Sequence, residues 1–233
     1  IEECLEAGIN QFIFIISKKK ANIKKYFFND NFYKNILKKK SDKRIRKEFL
    51  KLKKYRRKIK FVYQNKPRGT GDAVLKCKKY ITGKHFLMLL PDDLIIKNNC
   101  SKEMLKLHNK KKCSVIATKL VNKKTVSRWG ILSLKNKNKN NFQITDVVEK
   151  PKISEAPSNY AIIGRYILPS SIMNKIKKLK PGQGNEIHVT DAIKNLIHDG
   201  EPFYGSIFKG KYLDCGTLNG YINSGIKISK EKK

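Results

Sequence analysis

The chain has 233 residues, 39% of them hydrophobic, enough for one large α/β domain with a sizeable core, and no apolar run approaches the ~20 residues of a membrane-spanning helix. Its net charge of +34 comes mostly from lysines spread along the chain, with only seven arginines among the 53 basic residues, which argues for solvated lysine faces and against a specific nucleic-acid partner. The five cysteines, Cys4, Cys77, Cys100, Cys113 and Cys215, form no C-x-x-C pair and have no histidine at ligand spacing, which excludes a zinc ribbon and predicts reduced thiols in a cytoplasmic protein.

Helix and strand patterns alternate. Ile1 to Ala7 reads as a helix closing on Gly8, and the apolar run Phe12 to Ile16 as a buried strand. Lys18 to Phe28 has a helical pattern. Phe32 to Lys58 reads as a basic helix pair, with Ile45, Phe49 and Leu52 on its inner face. A strand, Ile59 to Gln64, precedes a helix from Asp72 to Tyr80 and a strand from Phe86 to Leu90. Ser101 is placed to cap a helix running to Lys111. Val115 to Val121 and Gly130 to Leu134 are strands. Lys135 to Asn141, KNKNKNN, is a polar hairpin tip or loop. Strands follow at Gln143 to Val148 and Ala161 to Ile167. Thr190 is placed to cap a helix that turns Ala192, Ile193, Leu196 and Ile197 inward. A strand over Phe203 to Phe208 and a helix from about Thr217 complete the pattern. This alternation predicts a mixed, mostly parallel sheet with helices on both faces.

Several strand ends carry chemistry. After Val148, Glu149 and Lys150 place an acceptor beside a cation, a pairing suited to a sugar phosphate. Pro151 should hold Lys150 extended. In YQNKPRGTGDA, Gln64 offers the edge of a pyrimidine a donor and an acceptor, and Gly69 and Gly71 allow a ligand close to the backbone. In LLPDDLI, Asp92 or Asp93 could hold Mg²⁺ while the other caps a turn. Asp214, in YLDCGT, would complete a two-carboxylate site if it meets Asp92. Gly130, after Trp129, leaves room for a sugar ring.

LLPDDLI, WGIL, VVEKPK, APSNYAIIGRY, KPGQGNEIHVTDAI and YLDCGT occur in the order found in bacterial UTP–glucose-1-phosphate uridylyltransferases, which the chain resembles from Ile1 to about Ile226. APSN-x-AI-x-GRY together with GNEI-x-x-TDAI carries the specificity of that resemblance. It implies a Rossmann-like, glycosyltransferase-A-like fold in a single nucleotidyltransferase domain over 1–233. It also implies an enzyme of carbohydrate metabolism that forms UDP-glucose and pyrophosphate from UTP and glucose 1-phosphate with Mg²⁺, and a homo-oligomeric full-length protein. By the same resemblance, Gln64 and Gly69 lie at the uracil, and Gly130 and Glu149 contact glucose. Lys150 meets the sugar phosphate, and Asp92 and Asp214 hold the metal. Lys150 and Asp92 are then the catalytic residues.

Members of that family begin with a strand, a G-x-G-T-R loop and a Pro-Lys segment. None occurs here, and Ile1 aligns inside the helix that follows them. The expectation is an N-terminally truncated piece that lacks its first strand and much of the triphosphate site. It should be marginally stable and have little or no transferase activity. Two rivals stand beside this reading. One is a nucleotidyltransferase of the same fold that uses dTTP, GTP or another sugar. The other is a basic, non-catalytic nucleic-acid-binding protein, which predicts arginine and aromatic residues gathered on one face.

Overall fold

The computed structural model of the chain describes residues 1–39, 42–138 and 140–231. α1 (Glu2–Glu6) leads into β1 (Phe12–Ile16). α2 (Ala21–Phe28), α3 (Asp30–Lys39) and α4 (Lys43–Arg56) precede β2 (Ile59–Tyr63), which pairs with β1 in parallel. α4 begins where the Asp42 carboxylate accepts from the Arg44 and Ile45 amides at 2.8 and 3.3 Å. Its apolar residues fall on one face, so Phe49 and Leu52 are buried with Phe27, Tyr33, Phe12 and Ile59. The expected helix pair is there, with residues 40 and 41 outside the described part.

α5 (Thr70–Lys76) and β3 (His85–Leu89) follow, then β4 (Asp93–Ile96), α6 (Cys100–Lys111) and β5 (Ser114–Leu120). Asn99 caps α6, not Ser101: its side chain accepts from the Lys102 amide at 2.9 Å. Ser101 is the second residue of the helix and donates to Glu3 Oε1 at 2.6 Å. β6 (Gly130–Asn138) and β7 (Asn141–Glu149) form a hairpin, and β8 (Tyr160–Pro169) runs beside them. Most of the stretch expected as a polar tip is strand, since Lys135 pairs with Gln143 and Asn138 with Asn141. Residue 139, at that tip, lies outside the described residues. α7 (Ile172–Lys178), α8 (Val189–His198), β9 (Phe203–Ile207), β10 (Lys211–Asp214) and α9 (Leu218–Glu231) complete the order.

The main sheet has six strands in the order β3-β8-β5-β9-β7-β6, with β6 also touching β8. The expected α/β architecture with a mixed sheet and helices on both faces is present, but the sheet is mostly antiparallel instead of mostly parallel. Among the described residues only β1–β2 and β5–β9 pair in parallel. β3–β8, β5–β8, β6–β7, β6–β8 and β7–β9 are antiparallel, as is the separate β4–β10 ribbon. The cause lies in the connections. Where a short turn returns the chain, as from β6 to β7, strands must run antiparallel, and only a helical crossover lets them run parallel.

Side chains of β5 and β8 alternate between two cores. Ile116, Ile162, Tyr166 and Leu168 pack under α7 and α8 with Ile172, Ile176, Ile193 and Leu196. Val115, Ala117, Ile163 and Ile167 face Met104 and Leu107 of α6. A strand buried on both faces reads as a continuous apolar run, and AIIGRYIL shows it. Among the described residues no helix is long and apolar enough to cross a membrane.

Candidate active site

The loop after β2 is stitched to the segment before α8. The Gly71 amide donates to Ile187 O at 2.7 Å, and the Ile187 amide returns a bond to Arg68 O at 2.8 Å. The Val189 amide reaches Thr70 Oγ1 at 3.1 Å. Gly69 has φ +93°, and a Cβ there would lie 2.5 Å from Ile187 O. The glycine that was expected to admit a ligand therefore admits the protein's own backbone first. Gln64 Nε2 donates to Gly69 O at 3.1 Å and to Asp72 Oδ2 at 2.8 Å, which fixes the amide at the end of β2. An open cleft of about 310 Å³ adjoins it, lined by Tyr63, Asn65, Lys66, Arg68, Asp72 and Lys76.

A second group stands at the β4–β10 ribbon, where Asp214 is the register partner of Asp93. A Cβ built on Gly216 would lie 3.1 Å from Asp92 Oδ2 and 3.3 Å from Asp214 Oδ1. The two carboxylates therefore converge on the same small space. The Cys215 amide donates to Asp92 O at 2.8 Å and locks the two loops together. Asp214 is held through both oxygens, with Oδ1 accepting from the Gly216 amide at 2.9 Å and Oδ2 from Arg128 Nη2 at 3.2 Å. Asp92 is exposed, and its carboxylate has no hydrogen-bond or ion-pair partner among the described residues.

Asp93 has a different task. It accepts from the Gly164 amide at 2.8 Å and from the Tyr212 hydroxyl at 2.5 Å. Burial pushes its carboxyl above the usual range, against those two hydrogen bonds. Burial and the neighbouring Asp93 likewise raise the Tyr212 hydroxyl. Of the two adjacent aspartates, Asp93 braces β4 against β8 and β10, and Asp92 faces out with an unengaged carboxylate. No cluster of three or more metal-ligating side chains occurs among the described residues. Two hard carboxylates are nonetheless the donor set of a Mg²⁺ site that completes its shell with water and phosphate, so the residues present fit that ion.

The third group follows β7. Gly130 and Glu149 are register partners across β6 and β7. A Cβ on Gly130 would sit 3.2 Å from Glu149 Oε2, so the glycine leaves space beside that carboxylate. Glu149 Oε2 accepts from Thr190 Oγ1 at 2.9 Å. Thr190 was expected to cap α8, but His188 occupies that position and Thr190 lies inside the helix, aimed at the site. Lys150 also departs from expectation. It is not extended but has φ +45°, left-handed for a residue before proline. Its amide donates to Trp129 O at 3.0 Å, a bond made at that turn out of β7. Backbone strain of this kind costs about 1–3 kcal/mol and gathers where a side chain must be aimed. Among the described residues the Lys150 ammonium has no ion-pair partner, unlike Arg128 one residue before Trp129.

Contacts run without a break from Asp92 through Gly216, Asp214, Arg128 and Trp129 to Gly130, Glu149 and Lys150. The structure thus brings Asp92, Asp214, Gly130, Glu149 and Lys150 into one connected group. Gln64 and Gly69 belong to a separate loop, tied to the start of α8 on which Thr190 lies. The sequence reading missed three residues of this framework: Thr190, Arg128 and Arg165. Arg165 is buried and donates to Glu3 at 2.9 Å and to Leu90 O at 3.2 Å, which fixes the turn that carries Asp92. A buried arginine in the apolar run AIIGRYIL was the available signal for it. Two of the buried cysteines are poor nucleophiles. Burial raises the Cys77 and Cys113 thiols to about 11, so neither is a ready thiolate.

A layered α/β fold with paired carboxylates, a glycine loop and an unpaired lysine defines a nucleotidyl transferase, and the family model of that description matches residues 1–231. A putative UTP–glucose-1-phosphate uridylyltransferase of Methanocaldococcus jannaschii is 34% identical, covering 100% of this chain and 81% of that one. The UTP–glucose-1-phosphate uridylyltransferase of Pseudomonas aeruginosa is 33% identical, covering 96% of this chain and 81% of that one. A crystal structure of UDP-glucose pyrophosphorylase complexed with UDP-glucose superimposes with a TM-score of 0.84 at 32% identity, covering 99% of this chain and 84% of that one. The chain belongs to the nucleotidyl transferases and, within them, to the UTP–glucose-1-phosphate uridylyltransferase family.

Proposed function

We propose that the site serves transfer of the uridylyl group of UTP to glucose 1-phosphate, with UDP-glucose and pyrophosphate as products. The observation that carries this is the joining of Asp92 and Asp214 about Gly216, linked through Arg128 and Trp129 to Glu149 and the unpaired Lys150. Gln64 and Gly69 hold the uracil end, where Gln64, its amide nitrogen spent on the loop, offers its oxygen to the base N–H. Glu149, oriented by Thr190, accepts from glucose hydroxyls beside Gly130. Lys150 meets the sugar phosphate and steers its oxygen in line with the α-phosphorus of UTP. No side-chain nucleophile is needed, because positioning and charge neutralisation lower the barrier. Mg²⁺, held by Asp92 and Asp214, would neutralise phosphate charge. Five free cysteines, four of them buried, support a reducing cytoplasmic setting.

The test is pyrophosphate release from UTP and glucose 1-phosphate with Mg²⁺, scored by UDP-glucose formed. Lys150→Ala is expected to cut turnover about 100-fold, as loss of one well-placed phosphate-stabilising group does. Preference for dTTP or GTP, or indifference to Lys150→Ala, would overturn the reading.

A further inference from the structure

Arg128 closes a 3-10 helix, Lys123–Arg128, that is firmly seated. Val126 is fully buried, and Asn122 Oδ1 accepts from the Lys124 amide at 2.9 Å. From that base the guanidinium reaches Asp214 Oδ2 at 3.2 Å and lies 5.8 Å over the Trp129 ring. It is 57% exposed. Among the described residues it is the only cation paired with either Asp92 or Asp214.

Asp214 Oδ1, which meets Asp92 Oδ2 beside Gly216, already accepts from the Gly216 amide, and Oδ2 is held by Arg128, so an ion entering between the two carboxylates meets an Asp214 whose charge is already shared. A guanidinium and a divalent cation on one carboxylate repel each other and draw on the same negative charge, so each weakens the hold of the other. We propose that Arg128 is an exchangeable counter-cation. It holds Asp214 until the divalent ion arrives, then yields the carboxylate and turns to a phosphate of the bound sugar nucleotide. This rests on the reading of Asp92 and Asp214 as the metal site.

Three features make the exchange feasible. The Arg128–Asp214 contact is a single, exposed one, and such pairs break readily. A guanidinium freed from a carboxylate fits phosphate equally well, since both present two oxygens to its fork. The Trp129 face keeps the group nearby in either position. The Lys150 amide bonds to Trp129 O, so the two cations flank one short stretch of backbone.

The test is titration of Mn²⁺ into the chain, followed by the electron paramagnetic resonance of the free ion. Arg128→Gln is expected to bind Mn²⁺ alone roughly threefold more tightly, the competitor being gone. Arg128→Lys, which retains the charge, should stay nearer the parent. With Mn²⁺ saturating, Arg128→Gln should bind UDP-glucose about tenfold more weakly, from loss of a charged hydrogen bond. An arginine needed only for folding or packing would, when replaced, weaken both. Mn²⁺ affinity that is unchanged or lower in Arg128→Gln, or unchanged UDP-glucose affinity, overturns the proposal. Asp92→Asn and Asp214→Asn separate the two levels. If they abolish Mn²⁺ binding while Arg128→Gln leaves it unmoved, only the exchange fails. If they leave Mn²⁺ binding intact, the metal-site reading falls and takes the exchange with it. Thermal melts of each variant confirm folding.

Discussion

Thr190 shows how one side chain can belong to the site while its sequence context points elsewhere. Threonine before an apolar-periodic run is a helix-cap signal. Here the hydroxyl is two residues past the cap position, inside α8, and it donates to Glu149 Oε2 instead. On the proposed reading Glu149 accepts sugar hydroxyls, and such a bond would fix one of its oxygens and leave the other for ligand. Thr190→Val retains the shape and removes the donor. It is expected to raise the KM for glucose 1-phosphate about fivefold, as loss of one hydrogen bond does, with kcat less affected. Thr190→Ser should restore most of the loss. Steady-state kinetics with glucose 1-phosphate varied would check both variants.

At the scale of elements, the turn carrying Asp92 depends on a helix far away in sequence. Arg165 of β8 donates to Leu90 O beside that turn and to Glu3 of α1. Ser101 of α6 adds a hydroxyl to Glu3, so three elements meet at one carboxylate. Burial raises the Glu3 carboxyl, but hydrogen bonds from Arg165 and Ser101 and the Arg165 charge outweigh it, leaving it below the ordinary value of 4.5. The sign follows from proton linkage. With the folded-state pKa depressed, Glu3 contributes stability above pH ~4.5 that is lost as the pH falls through the folded value. Glu3→Gln leaves Arg165 buried without its counter-charge, so a loss of about 3 kcal/mol is expected at pH 7. The loss should shrink below pH 4. Urea denaturation of parent and variant across that range would show it, and parallel stability curves would refute it.

At the scale of the molecule, the charge is less evenly laid out than the sequence suggested. Arg44, Arg46, Arg56 and Arg57, four of the seven arginines, lie on or next to α4, with Phe28, Phe32 and Leu50 exposed on α2, α3 and α4. Arg56 is partly spent on Asp30 and on Phe27 O. The remaining cations project from a helix whose Phe49 and Leu52 are already buried. Such a face attracts polyanions by counterion release and reads no sequence. RNA binding is therefore expected at ~50 mM salt and should fade steeply by ~200 mM, with no preference among sequences. Filter binding across that range is the measurement, and tight, selective binding at physiological salt would contradict it.

The sequence by itself determined the family, most of the order of strands and helices though not β4 or α7, and the residue types at several strand ends. Those follow from local rules: apolar periodicity, turn residues, and motifs such as APSNYAIIGRY with GNEIHVTDAI whose spacing is set along the chain. It also placed Gln64, Asp92, Gly130, Glu149, Lys150 and Asp214 where strands end. Strand direction was not legible, because parallel and antiparallel partners share the same period-two pattern and differ only in how the chain returns. Nor was the division of labour between Asp92 and Asp93. Adjacent in sequence, they part only when Tyr212 and Gly164 arrive from other strands to claim Asp93. The left-handed turn at Lys150 needs the Trp129 carbonyl, the seat of Arg128 needs Asp214, and the aim of Thr190 needs Glu149. Each of these is a contact between residues far apart in the chain, and no local rule carries information about a partner that only folding supplies.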